Sequence, residues 1–187
     1  MKKNAIANAA ALVLGAAGTA GLVEAQQISA GDYHTFAIVS GGEALGTGLD
    51  FSGQVSDKPA GKTWKQISAG SQHSCGVTTS GEGFCWGWNS AGQTPVPTGK
   101  TWSIISAGAE HSCGLTTGGA VHCWGSNLHN QVSGAPVSHS WIDLRAGSSH
   151  TCGVTTTGLG FCWGKTDNSR CNVPTGKTWS YISAGES

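Results

Sequence analysis

Six cysteines of this 187-residue chain fall into three pairs of one spacing: Cys75 with Cys85, Cys113 with Cys123, and Cys152 with Cys162, each ten residues apart. Such thiols can hold a metal or close a disulfide. Zinc ligands come in short steps such as Cys-x-x-Cys, and these cysteines do not. A symmetric placement around a Gly-bearing turn sets two side chains opposite each other in an antiparallel hairpin, so a disulfide inside each hairpin is predicted. The equivalent places nearer the N-terminus hold Phe36 and Gly46. Both members are missing together, as pairing within a hairpin requires. The seventh, Cys171, stands where another unit has Thr94, which leaves it as a lone thiol or as the link of a dimer.

Four histidines, His34, His73, His111 and His150, recur at matching places. They are either a ring of metal ligands or groups that hydrogen-bond inside the fold. A residue repeated in every unit is most simply a requirement of the fold, so no metal and no cofactor is expected. Gly-Lys-Thr around Lys100 and Lys177 has the look of a phosphate loop, but Thr94 and Cys171 stand where the earlier glycine is needed. It reads as a turn into the following Trp. Ser, His and Asp are plentiful, yet no strained nucleophile turn is present, and the chain is not read as an enzyme.

These groups are carried by a repeat. Ile-Ser-Ala-Gly begins at Ile28, Ile67, Ile105 and Ile182, with Leu-Arg-Ala-Gly at Leu144, a period of 38 or 39 residues. The units are 28–66, 67–104, 105–143 and 144–181, with a fifth starting at 182. Within one unit, strands are expected at 64–69, 73–79 and 84–88, followed by a short outer strand at 94–97. Pro95, Pro97 and Pro174 favour an edge position for that last strand. Four strands per unit predict an all-β propeller of about four blades. Thirty glycines, eight tryptophans and 11% charged residues agree with this class, and zero net charge excludes a basic nucleic-acid surface. Residues 1–25, with Lys2 and Lys3 before an apolar stretch, read as a secretory signal, with a retained anchor as the alternative. The mature chain, 26–187, is then extracellular or periplasmic and off the membrane, in keeping with disulfides.

The string Ile67-Ser-Ala-Gly-Ser-Gln-His73-Ser-Cys75-Gly, with Gly-Phe-Cys85-Trp86-Gly87-Trp-Asn89-Ser-Ala-Gly92-Gln93, resembles the repeat of the regulator of chromosome condensation family. The likeness covers residues 28–187 and implies a propeller, typically seven-bladed. Tectonin-type lectin propellers are similar in their Trp and Ile-Ser-x-Gly elements. The first unit departs with Leu45-Gly46-Thr47-Gly48 for Cys-Trp-Gly, and the third with His129-Asn130-Gln131 for Ala-Gly-Gln. Four units leave several arrangements open: an incomplete product, a four-bladed ring, an open arc or an oligomeric ring. If the ring closes on itself, the Ile182 strand would complete the first blade. Nuclear members of the family act on a small GTPase and bind chromatin. Secreted bacterial relatives include inhibitors that grip a β-lactamase through loops on one face, and the resemblance therefore implies protein binding.

Function is expected where the units disagree. One variable set lies between Gly and His and includes Asp32, Tyr33 and Glu110. The other follows the third strand and includes Asp50, Phe51, Trp88, Asn89, Leu128, His129, Lys165 and Arg170. Exposed aromatic and Arg residues are common interface anchors. A protein partner is expected. A glycan is the alternative if Trp88, Trp124 or Trp163 faces solvent, and a third reading is a fragment of a larger repeat protein.

Overall fold

The computed structural model of the chain describes residues 25–167 and 171–185. The expected signal segment, apart from Ala25, and the candidate contact residue Arg170 lie outside them. The described residues form four antiparallel three-stranded sheets. Sheet one holds β1 (Ala25–Ala30), β2 (His34–Val39) and β3 (Ala44–Gly48). Sheet two holds β4 (Trp64–Ala69), β5 (His73–Thr78) and β6 (Gly83–Gly87), and sheet three β7 (Trp102–Ala107), β8 (His111–Thr116) and β9 (Val121–Gly125). Sheet four holds β10 (Trp141–Ala146), β11 (His150–Thr155) and β12 (Gly160–Gly164). Successive first strands touch one another, and each middle strand packs on the first strand of the next sheet. The sheets are thus blades of a propeller with β1, β4, β7 and β10 innermost, and the ring is not closed.

Two sequence expectations need correction. Each blade has three strands and not four: residues 94–97 form no strand. The prolines there leave few backbone donors for a ladder, and the Thr94 N–H is instead taken by the Asn89 side chain at 3.0 Å. The Ile182 segment does not complete the first blade. It docks on the fourth, where Ile182 N–H donates to Asp143 Oδ2 at 2.9 Å.

Middle strands β2, β5 and β11 are buried from end to end, and β8 in all but its last residue, since each lies between the two other strands of its sheet. After its histidine, such a strand carries Ser or Thr, Cys, Gly, Val or Leu, and Thr in blades two to four. Across it, Cys75 faces Cys85, Cys113 faces Cys123 and Cys152 faces Cys162, and all three pairs are disulfide-bonded. In the first blade Phe36 faces Gly46. A side chain at Gly46 would come within 2.5 Å of the Phe36 ring, so this pair fills with one aromatic group the space that a sulfur bridge fills elsewhere.

A second pairing sits one residue further along. The Trp64 ring lies over Gly76, where an added Cβ would approach it to 2.6 Å, and Trp141 lies over Gly153, with an approach of 2.8 Å. In blade one, Ala25 takes the Trp place and Ala37 the Gly place. With no ring to seat, no glycine is needed. Gly76→Ala is therefore expected to destabilise the chain by about 1–3 kcal/mol through overpacking, while Ala37→Gly costs under about 1 kcal/mol. Urea midpoints at constant m-value measure both; equal small shifts would show that the ring does not need the glycine.

Candidate interface face

Each third strand ends beside the start of the middle strand, because the two are antiparallel: Gly87 faces His73 and Gly125 faces His111. The two variable loop sets therefore emerge at the same end of every blade. Backbone bonds join them: Leu49 N–H donates to Tyr33 O at 2.8 Å, Trp88 to Gln72 O at 2.9 Å, Ser126 to Glu110 O at 2.9 Å and Lys165 to Ser149 O at 2.9 Å.

Buried glutamines hold the longer loops in place. Gln54, Gln93 and Gln131 accept the N–H of Ser52, Ala91 and His129 on their side-chain oxygens, at 2.8, 2.9 and 2.8 Å. Asp50 accepts from Val55 and Ser56, Asn89 from Thr94, and Asn127 from Val132 and Ser133. The two backbone donors hold the Asp50 carboxyl below its ordinary pKa. Asp50 and Asn89 thus have an acceptor turned into their own loops. Asn130 stands where other loops have Gly53 and Gly92, with φ of 61° against 73° and 76°. Asn is the side chain that best tolerates this left-handed conformation.

The same glutamines anchor the seams between blades through their backbone. Gln54 O accepts from Ser74 Oγ at 2.9 Å and Trp86 Nε1 at 3.0 Å, and Gln93 O from Ser112 Oγ at 2.9 Å and Trp124 Nε1 at 2.8 Å. Gln131 O does the same for Thr151 Oγ1 at 3.2 Å and Trp163 Nε1 at 3.0 Å. Each hydroxyl is also met by the histidine of the preceding blade: His34 Nε2 to Ser74 at 2.6 Å, His73 to Ser112 at 2.9 Å and His111 to Thr151 at 2.9 Å. Since the hydroxyl proton goes to the carbonyl, Nε2 must carry a proton and donate it. The Nδ1 atoms of these three histidines are buried with no hydrogen-bond partner. Burial pushes His73 down to about 3, with His111 and His34 adding to it, and His111 down to about 4, with His150 adding to it. His34 falls to about 4 by burial, against the pull of Asp32 and Asp50. These histidines are neutral seam donors.

Closer to the axis, inner strands cross-link side by side. Gln27 exchanges two bonds of 3.0 Å with the backbone of Ile67, and Gln66 accepts from Ile105 N–H at 3.1 Å. Ser29, Ser68 and Ser106 accept from Ala69, Ala107 and Ala146 at 2.9, 3.0 and 3.0 Å. These roles were not visible in the sequence; the only signal was that polar residues recur inside apolar strands.

Several large apolar side chains stand exposed on the loop face. Tyr33 is 56% exposed, Phe51 92%, Trp88 44% and Leu128 83%. Asp32, Glu110 and His129 are also exposed, and the half-buried Lys165 pairs with Asp167 at 3.3 Å. Trp124 and Trp163, counted towards a sugar site if they faced solvent, are instead buried in the seams. The half-buried Cys171 thiol donates to Lys165 O at 3.4 Å.

Similarity to known proteins follows this geometry. No curated protein matches the chain. Among solved structures it is similar to the ectodomain of the Physcomitrella patens receptor kinase CR4, at 29% identity and a TM-score of 0.67, over 79% of this chain and 41% of that one. It is similar to the CRINKLY WD40 ectodomain of the Arabidopsis thaliana receptor kinase ACR4, at 24% and 0.68, over 91% and 59%. It is also similar in fold to Prp20p of Saccharomyces cerevisiae, described with its binding to Gsp1p and histones, at 16% and 0.72, over 90% and 56%. The chain thus spans about half the length of these structures. The regulator of chromosome condensation (RCC1) repeat matches at residues 25–54, 64–93 and 102–131, each span running from inner strand to buried glutamine. With the seams and the matched spans in register, the chain belongs to the RCC1 repeat family.

Proposed function

We propose that the chain is an exported, non-catalytic binding module that grips a protein through its loop face. The observation that carries this reading is the division of labour above: repeated polar residues are consumed in seams, while variable aromatic and aliphatic residues stand exposed on one end of the blades. Large exposed apolar groups on a rigid scaffold are the usual makings of an interface. Three disulfides favour an oxidising compartment. No helix among the described residues is long and apolar enough to cross a membrane. The binding of Prp20p to proteins and the ectodomain setting of the two receptor kinases support the reading by likeness.

Photo-crosslinking groups placed at Phe51 and Trp88 are expected to capture a protein in the producing culture, and the same group at Ser80 or Lys100, away from these loops, is not. Phe51→Ala and Leu128→Ala should lose the adduct while shifting the thermal midpoint by only about 1 °C. Equal capture from both ends of the blades would defeat the proposal. The half-exposed Trp88 ring favours one second reading, a glycan site. Glycan-array binding lost in Trp88→Ala would select it.

A further inference from the structure

The exposed apolar side chains of the loop face follow one another from blade to blade. A Cβ added at Gly87 would come within 3.0 Å of Gln54 Cα, and one at Gly125 or Gly164 within 3.1 Å of the Cβ of Gln93 or Gln131. Each loop after a third strand therefore leans on the start of the next such loop, and Phe51, Trp88 and Leu128 stand in that order across blades one to three. Tyr33 joins this row through the bond from Leu49 N–H to its carbonyl.

Charge along the row has one sign, which the zero net charge of the chain hides. Across residues 31–33, 49–56, 70–72, 88–93, 108–110 and 126–133 the acids are Asp32, Asp50 and Glu110, and neither Lys nor Arg occurs. Among the described residues none of the three is in an ion pair. Asp57 and Lys58, next along, offset each other, and in blade four Lys165 is offset by Asp167. The opposite end of the blades differs. Lys62 and Lys100 stand there, just before inner strands whose first residues bond to the hairpin turns, Trp64 N–H to Gly42 O and Trp102 N–H to Gly81 O. Signs are mixed at that end, where Lys62 pairs with Glu82 at 3.1 Å.

The acids also keep company with the rings. Asp32 directly precedes Tyr33 and Asp50 directly precedes Phe51, while Glu110 O holds Ser126, two residues before Leu128. Asp32 and Asp50 both act electrostatically on His34 at the start of β2, so their fields meet at one corner of the row. A carboxylate near an exposed aromatic ring suits a guanidinium, which pairs with the first and lies flat on the second.

We propose that the partner taken by this face is an arginine-rich protein surface with apolar side chains between its arginines. The inference rests on the reading of the loop face as a protein grip and adds the chemistry of what is gripped. Apolar side chains of the partner cover Phe51, Trp88 and Leu128 and supply contact area, and its arginines answer Asp32 and Glu110 and stack on the exposed rings. An acidic partner would set like charges against the row, with no Lys or Arg on it to answer them.

The probe is a fluorescein-labelled peptide of four Arg-Leu-Ser repeats, titrated into the full chain and followed by anisotropy, beside peptides with Lys or Glu in place of Arg. The Arg peptide is expected to bind, and to weaken several-fold as salt rises from about 50 to about 200 mM. The Lys peptide should bind about threefold more weakly for want of stacking, and the Glu peptide not at all. Asp32→Asn combined with Glu110→Gln should cost about tenfold, the sum of two exposed ion pairs. Both carboxylates are exposed, so the thermal midpoint of this variant should not move. Glu43→Gln, in the β2–β3 turn at the other end, should leave binding unchanged. Failure of the Arg peptide to bind, equal binding of the Lys or Glu peptide, or full affinity in the double variant would each overturn the proposal. The grip itself fails separately: a Phe51 photo-adduct with an acidic protein, or one undiminished by the double variant, overturns the arginine-rich partner and leaves the grip standing, whereas no adduct at all overturns both.

Discussion

On acidification the chain should hold its stability down to about pH 6.5, lose it steeply below that, and unfold near pH 4 with its disulfides intact. His34, His73 and His111 are neutral in their seams, with pKa values near 4, 3 and 4 against 6.5 when unfolded. Between these limits the unfolded chain binds protons that the folded chain refuses, so stability falls as pH falls. Above 6.5 both states are neutral and the contribution is complete. Each histidine adds a slope of about 1.4 kcal/mol per pH unit in that window, and three together about 4. A domain of ordinary stability, about 5–15 kcal/mol, is exhausted within a few units. Urea unfolding followed by Trp fluorescence at pH 7.5, 6, 5 and 4 measures the slope. His73→Gln keeps a donor for Ser112 but cannot titrate, so it should flatten the slope by about a third while lowering stability at pH 7.5. A midpoint unchanged down to pH 4 would show that the seam histidines accept protons in place.

Reduction should have the other large effect. Each bridge closes a loop of ten residues, for which chain-entropy arithmetic gives about 2–3 kcal/mol, and three give about 6–9 before any residual structure in the unfolded hairpins is allowed for. That is comparable with the whole stability of a domain this size. Cys75 and Cys113 are fully buried and Cys152 nearly so, so a reductant should act slowly on the folded chain. Once reduced and alkylated, the chain should unfold at physiological temperature. Far-ultraviolet circular dichroism before and after alkylation reads this directly. A reduced chain that kept its strands and its urea midpoint would assign stability to the seams alone.

The blade was legible because it is local. The ten-residue cysteine step and the Trp64–Ala69 strand act within one unit, the Ile-Ser-Ala-Gly motif recurs once in each, and the structure places strand and bridge as read. The outer strand was misread because Pro95 and Pro97 suit an edge strand and a loop alike. What excludes the strand is Asn89 capping Thr94, a side-chain geometry that periodicity does not carry. The seams were illegible for a different reason. His34 meets a hydroxyl 40 residues away and Ser74 a carbonyl 20 residues away, and nothing in the chain's order announces such partners. On the loop face the sequence located the variable positions but not their orientation: Phe51 and Leu128 point to solvent, while Asp50 and Asn89 brace their own turns.

Because His34 reaches Ser74, His73 reaches Ser112 and His111 reaches Thr151 by the same bond at nearly the same chain distance, every joint is a copy of the last. A gene encoding such joints can gain or lose one whole module by duplication or deletion, and the new neighbours will find matching hands. Length is thereby free to drift among descendants while the fit between adjacent pieces is preserved.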